Sequence, residues 1–370
     1  MRLHRVKAIY LKELKELARD RISRVVVLVV PLIITLLFGY GMSLDVENVP
    51  FVVCDEDKSA LSREFVSKLK ENREFFNFKG YVSSQREVEE LLLRGKAKFG
   101  VVIPDSFGER LKEGKSANLQ VLIDGTFPFQ AEVSGTYVDA VANSFILDLI
   151  PHLREMPFSI DTRYWFNEEL KQKHITSSGI LAVVFTVSPA IFTAIIFSRE
   201  RERGTIYNIY TSPVGRLEYL LGKQLLTLSV YTVNVLFLSL VVVFLFKVPF
   251  RGNYPFFFFA TELFILTSSS IGMLVSTFLR TQIGAIVVTM IITIIPAFLY
   301  SGYLIPVSSM GREAYIEAHL FPTLYYMNIV KGSFLKGVGP LSLLKDTVAI
   351  LFFYILFLSL SYIRFKKRER

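Results

Sequence analysis

The residues best placed to do chemistry lie in the run from Phe197 to Ile206, which reads FSRERERGTI, and in Thr211, Ser212 and Pro213 just after it. Polar residues from Ser198 to Arg203 stand there between apolar runs long enough to cross a bilayer. An arginine or acidic residue at the centre of a span costs about 2.5–3.5 kcal/mol on insertion scales. The pattern therefore predicts a charged elbow in water between two spans, offered to a soluble partner. Alternating Arg199, Glu200, Arg201, Glu202 and Arg203 present paired charges that set register and specificity. Gly204 permits a sharp change of direction before Thr205, and Pro213 fixes the backbone at the far end. The plainer alternative is a solvated loop whose charges only fix topology.

A second candidate is Glu262, set in an apolar run with Thr261, Thr267, Ser268, Ser269 and Ser270 nearby. An ionisable residue about two turns into a span marks a translocation path, a proton site or a protomer contact. The alternative is a residue at headgroup level. Asp55, Glu56 and Asp57 follow a strand-like run, but their spacing matches no metal loop and reads as a solvated turn. Enzyme motifs are missing. There is no Gly-x-x-x-x-Gly-Lys-Ser/Thr, no His-Glu-x-x-His, no Gly-x-Ser-x-Gly and no paired-cysteine motif. The four histidines, His152 and His174 among them, are scattered, and the single Cys54 allows no internal disulfide. Work against a gradient would need an ion gradient or a separate ATPase.

The elements that hold these residues follow from composition. The 370 residues are 52% hydrophobic and 14% aromatic, unevenly spread, as in an integral membrane protein with one soluble insert. Six segments are long enough to span about 30 Å of hydrocarbon: 25–44, 176–198, 220–246, 256–279, 283–303 and 344–363. The net charge of +9 is concentrated in 1–24, in the elbow and in the tail 364–370, whereas the short loop 247–255 has only Lys247 and Arg251. The positive-inside rule then puts both termini and the elbow in the cytoplasm and 45–175 outside. Segment 1–24 reads as an amphipathic interfacial helix, with Leu3, Val6, Tyr10, Leu14 and Leu17 on one stripe and basic residues elsewhere, able to attract anionic lipid. No cleavable signal is expected.

Residues 45–175 read as a small α/β domain. Strands are expected at 49–54, 97–103 and 118–124, and helices at 61–69, 84–93, 107–111 and 129–150, the last broken by Pro151 and Pro157. Ser84 and Glu87 form a capping box. The alternation predicts parallel pairing. The segment from Leu304 to Leu343 is too broken by Pro306, Pro322 and Pro340 for a plain span.

At the elbow the chain resembles a family. Residues 199–206, then Thr211 to Val214, then Arg216 to Lys223 (RLEYLLGK) look like the cytoplasmic coupling region of ABC-2 type permeases, the membrane subunits of one class of ABC exporter. Three further stretches resemble it in order and spacing: Tyr164 to Leu170, Tyr300 to Pro306 with Met310, and Phe321 to Tyr326 with Gly332 and Gly337. Relatives often carry an acidic residue where this chain has Tyr207, and an aliphatic one at Tyr210. The resemblance implies an α-helical integral membrane protein with six transmembrane helices plus an extracytoplasmic α/β domain between spans 1 and 2. It implies a coupling helix at 199–213 in a groove of an ABC ATPase subunit. It also implies an outer re-entrant hairpin at 304–343, turned by Ser301, Gly302, Pro306 and Pro322. Function would be export of a drug, lipid or glycan by two protomers, the same chain twice, in the inner membrane. ATP and Mg would be used by the partner ATPase and no cofactor held by this chain; a periplasmic adaptor is a further partner, and nucleic acid is not. A non-transporting membrane sensor and a proton-driven secondary transporter using Glu262 are the competing classes.

Overall fold

The computed structural model describes residues 2–41, 48–73, 75–126, 128–149 and 172–365. The stretch from Tyr164 to Leu170, Pro151, His152, Pro157 and the tail after Phe365 lie outside them. The chain forms two compact units, 1–43 with 164–370, and 44–163. It opens with α1 (Leu3–Arg19) and α2 (Arg21–Gly41). The second unit follows as β1 (Val49–Asp55), α3 (Ala60–Glu71), β2 (Phe76–Val82), α4 (Gln85–Leu93), β3 (Phe99–Ile103), α5 (Phe107–Lys112), β4 (Gln120–Ile123) and α6 (Pro128–Leu149). Then come α7 (Gln172–Glu202), α8 (Ile206–Thr211), α9 (Arg216–Leu240), α10 (Tyr254–Ser276), α11 (Gln282–Leu299), α12 (Arg312–Ala318), α13 (Pro322–Lys331) and α14 (Leu344–Arg364).

Among the described residues six helices are long and apolar enough to cross a membrane: Ser23–Gly41, Lys173–Glu202, Arg216–Leu245, Tyr254–Ser276, Gln282–Leu299 and Leu344–Arg364. They match the expected segments one for one, with shifted ends. The shift that matters for the site is in α7, which runs on through the charged residues to Glu202. Buried α7 and α10 form the centre, and α2, α9, α11, α13 and α14 pack on them. Lipid gives helices no hydrophobic reason to associate, so close approach of small residues must hold them together. Gly272 of α10 lies directly against the Ala190 backbone of α7. Thr193 donates to Ser269 (2.9 Å) and pairs with Thr227 (3.0 Å), and Thr261 pairs with Tyr326 (2.9 Å). A Cβ on Gly272 would overlap the Ala190 carbonyl oxygen. Gly272→Ala is therefore expected to cost about 1–3 kcal/mol by overpacking, read as a lower thermal midpoint of the detergent-solubilised chain; an unchanged midpoint would deny the close approach.

In the second unit the sheet order is β2-β1-β3-β4. β1 pairs parallel with β2 and β3, but β3 and β4 are antiparallel, which corrects the all-parallel expectation. β2 is an additional strand; its FNFKGYV sequence has Gly80 at φ +145° and no clean alternation. Phe51, Phe65, Phe76 and Phe99 fill the core. Ser84 caps α4 as expected, but Glu87 accepts from the Ser83 N–H rather than from Ser84. The acidic trio makes turns: Asp55 accepts from Lys58 N–H and Ser62 O–H, and Asp57 from Gly108 N–H.

Candidate functional site: the charged hub

Four consecutive residues at the end of α7 reach four different elements. Residues on a helix step by about 100°, so Arg199, Glu200, Arg201 and Glu202 point in four directions. Arg199 takes α1: its guanidinium donates to Asp20 (3.2 Å) and Glu16 (3.3 Å), with Glu13 at 3.8 Å. Glu200 bridges α1 and α9, accepting from Lys12 on one side and from Tyr219 O–H and Lys223 (3.2 Å) on the other. Arg201 donates to the Ser276 carbonyl (2.6 Å) at the end of α10, which also accepts from the Leu279 N–H (3.4 Å). Glu202 accepts from the Gln282 N–H (2.6 Å) and side-chain amide (3.2 Å), closing the start of α11.

This corrects the expectation of a solvated run for residues 198–200, while Glu202 and Arg203 are exposed as expected. Ser198 is buried, Arg199 is 4% exposed and Glu200 2%. Their charges face this chain's own helices because α7 continues helically into the run instead of ending before it. The predicted helix over 199–213 is divided. Its first part belongs to α7, Gly204 breaks the helix at φ +72°, and only α8 stands separate. A left-handed backbone at Gly204 would cost any other residue about 1–2 kcal/mol. Ile206 is buried and Ile209 packs on the core, seating α8. Arg203, Thr205, Tyr207, Asn208, Thr211 and Pro213 face outward, and Ser212, half-buried, donates to the Ile209 carbonyl (2.8 Å).

On α1, residues Val6, Ile9, Glu13 and Leu17 are buried, whereas Leu3 and Leu14 of the expected stripe are exposed. The buried face is thus rotated toward α9, and it contains a charge. Gly222 makes room for it: a Cβ there would stand 2.8 Å from Ile9. Glu13 pairs with Lys223 at 3.0 Å, and Lys223, wholly buried, also donates to the Ile196 carbonyl (2.8 Å). Burial pulls the Lys12 ammonium down, but Glu13 and Glu200 beside it outweigh that and hold it above the ordinary lysine value. A second clasp joins the start of α1 to the start of α9: Glu218 accepts from Arg2 N–H (2.6 Å) and Gly215 N–H (2.8 Å), with Arg5 at 3.6 Å. The end of α14 joins too, with Phe365 stacked on Tyr219 and Arg364 over the Phe278 ring. The sequence reading held Tyr219 and Lys223 only within the coupling-region resemblance, and gave no site role to Lys12, Glu13, Glu16 or Asp20. The signal available was Glu13, Glu16 and Asp20 at three- and four-residue spacing beside an apolar stripe, which asks for cations on a facing helix.

The remaining candidates lie elsewhere. Glu262 sits between α10 and α9, where Oε2 accepts from Thr232 (3.1 Å). Ser268 is buried inside the bundle, its hydroxyl without a partner among the described residues. Ser301 donates to the Ala297 carbonyl and accepts from Tyr303 N–H (3.2 Å), and Gly302 turns at φ +80°. Lys331 Nζ holds the Gly302 carbonyl at 2.6 Å. Pro306 precedes a single 3-10 turn, and Pro322 opens α13. From there α13 enters the bundle, stacking Tyr326 on Phe264 at 4.1 Å and accepting from Thr186 at Thr323 (3.2 Å). No group of three or more His, Cys, Asp or Glu that could hold a metal occurs among the described residues.

The family model for ABC-2 family transporter proteins matches residues 22–363. A protein of Escherichia coli K12 named probable multidrug ABC transporter permease YbhS is 28% identical over 371 aligned positions, 98% of this chain and 97% of that one. Its counterpart YbhR, with the same descriptive name, is 26% identical over 91% of each chain. The E. coli inner membrane transport permease YhhJ is 25% identical over 86% of this chain and 85% of its own.

Proposed function

The chain belongs to the ABC-2 family of transporter proteins, a multi-pass membrane permease, and from that premise we propose that it is the membrane subunit of an ATP-driven exporter. Hydrolysis would occur in a separate ABC ATPase subunit that uses ATP and Mg. The observation that carries this reading is the hub. A push on the surface of α8 reaches Glu202 through three residues, and from residues 199–202 it bears on α1, α9, α10 and α11 together. A loop that only fixed topology would not need four consecutive side chains committed to four elements. In this reading the coupling surface is the exposed part, Arg203 to Pro213, while Arg199, Glu200, Arg201 and Glu202 transmit.

The elbow and both termini then face the cytoplasm of an inner membrane, and the α/β unit lies outside, where a periplasmic adaptor would meet it. Two copies of the chain assemble with two ATPase subunits. The segment 304–343 acts as an outer re-entrant hairpin, supported by the way α13 enters the bundle. Cargo in this reading is a hydrophobic or amphipathic molecule; the names of the E. coli relatives YbhS and YbhR say multidrug. The test is co-expression with an ABC ATPase subunit of the same organism, purification through a tag on this chain alone, and reconstitution in lipid. Expected are co-purification of the ATPase and ATP-dependent uptake of a lipophilic dye into inside-out vesicles. A chain that captures no ATPase defeats the reading.

A further inference from the structure

We propose that Glu262 and Thr232 form a recognition site for the positively charged group of an amphipathic cargo; this rests on the exporter reading and names its substrate class. Glu262 is the only charged residue of α10, eight residues and so about 12 Å along it from Tyr254. Among the described residues it is the only carboxylate in the six spans more than three residues from a helix end. Its Oε2 accepts from Thr232, and its Oε1 is shielded from solvent with no hydrogen-bond partner among the described residues. Glu13 and Glu200, the acids of the hub, are by contrast matched by Lys12, Arg199 and Lys223.

Glu262 is half-buried, and although Oε1 itself is shielded, the surface flanking it is exposed and apolar. Phe259, three residues before Glu262 on the same helix face, is 63% exposed, and Val233, beside Thr232, 57%. An ionised Glu262 there is stabilised by positive charge brought into the apolar groove. Among the described residues of the six spans, a second copy of this chain has none free to bring at that depth. Within the six spans the described lysines and arginines are Arg24, Lys173, Arg199, Arg201, Arg216, Lys223, Lys345 and Arg364. All but Lys223 lie within four residues of a helix end, and Lys223 is buried in the hub. Lys331, on α13, is spent on the Gly302 carbonyl. Lipid tails offer nothing. A cargo cation with an apolar body satisfies both the charge and the groove, its body against Phe259 and its charge against the open carboxylate oxygen.

Tetraphenylphosphonium, a lipophilic cation with no proton to donate, is the probe, and tetraphenylborate its anionic match. Saturable binding of tetraphenylphosphonium to the purified chain in nanodiscs is expected, about tenfold weaker in Glu262→Gln and largely retained in Glu262→Asp. Tetraphenylborate should not distinguish the variants. In the unmutated protein, dicyclohexylcarbodiimide should label Glu262 and tetraphenylphosphonium should protect it, a readout that needs no variant to fold. Equal binding by Glu262→Gln, or labelling that the cation does not suppress, overturns the site. Loss of labelling on dimerisation, with no effect of the cation, assigns Glu262 to the protomer contact and equally overturns it. ATP-driven flux of neutral dyes alongside failed cation binding would sink this inference and leave the exporter reading standing. Cation binding without any ATP-driven flux would do the reverse.

Discussion

Lys223→Met is expected to unfold the elbow end of the bundle, and a second change, Glu13→Gln, to restore it. Lys223 is wholly buried and lies between Glu13 (3.0 Å) and Glu200 (3.2 Å), both also buried. Methionine fills much of the volume but leaves the two carboxylates with Lys12 as the one cation they still share. Breaking a buried pair by removing one partner costs about 3–5 kcal/mol, because the partner charge stays buried. The hub holds four carboxylates (Glu13, Glu16, Asp20 and Glu200) and three cations (Lys12, Arg199 and Lys223). Removing Lys223 leaves four against two, and neutralising Glu13 as well leaves three against two, the original excess of one. The expected result is a marked fall in thermal midpoint and loss of ATP-driven transport in the single variant, with most of both regained in the double. Additive damage in the double variant would mean that the charges act separately and the hub is no unit.

Glu200→Gln makes the gentler companion. It keeps the shape and the Tyr219 contact but removes the charge that Lys12 and Lys223 share. Since Glu200 faces inward, the ATPase subunit should still bind this variant while transport falls, which separates transmitting force from docking.

How far the sequence reached is clearest in α7. Its span was legible because an apolar run of that length has no soluble use. The fate of its last four residues was not. Read as a string, Arg-Glu-Arg-Glu is a solvated patch; read at 100° per residue, it is four spokes. Choosing between the two requires knowing that the helix continues past Ser198, and that follows from α1, whose Glu13, Glu16 and Asp20 supply the missing partners some 180 residues away. The same distance in sequence hid the true buried face of α1. Leu3 and Leu14 are as apolar as Val6 and Ile9, and only Gly222 on α9 decides which of them packs. In the α/β unit, Val49 to Cys54 was legible as a buried run, whereas β2 at the sheet edge was not, because an edge strand need not alternate. Gly302 was named through the family resemblance and does turn at positive φ; its lysine clasp came from Lys331, which no local pattern announces.

Tyr207→Ala should reduce capture of the ATPase subunit at least as strongly as any single change on the exposed elbow, with the thermal midpoint unchanged. Tyr207 is 59% exposed and rests edge-on against Tyr210, so its ring is held in place before any partner arrives. A pre-positioned tyrosine is the type of residue that carries binding energy when it enters a partner's pocket, with losses of about 2 kcal/mol or more on truncation. Arg203 is exposed and long, and a surface charge pair is worth about 0–1 kcal/mol, so Arg203→Ala should weaken capture less and mainly alter its salt dependence. Ile206→Asp should act by another route: Ile206 is buried, and a charge there would lift α8 off the bundle, lowering both capture and the thermal midpoint. The ranking is measured by titrating the purified ATPase subunit onto each variant in nanodiscs. If Tyr207→Ala binds as tightly as the unmutated chain while Arg203→Ala does not, docking is led by charge, and the acidic residue that relatives often carry at this position would mark a different kind of groove. If neither matters, α8 is not the docking surface, and the hub would have to receive its push through the exposed face of α1.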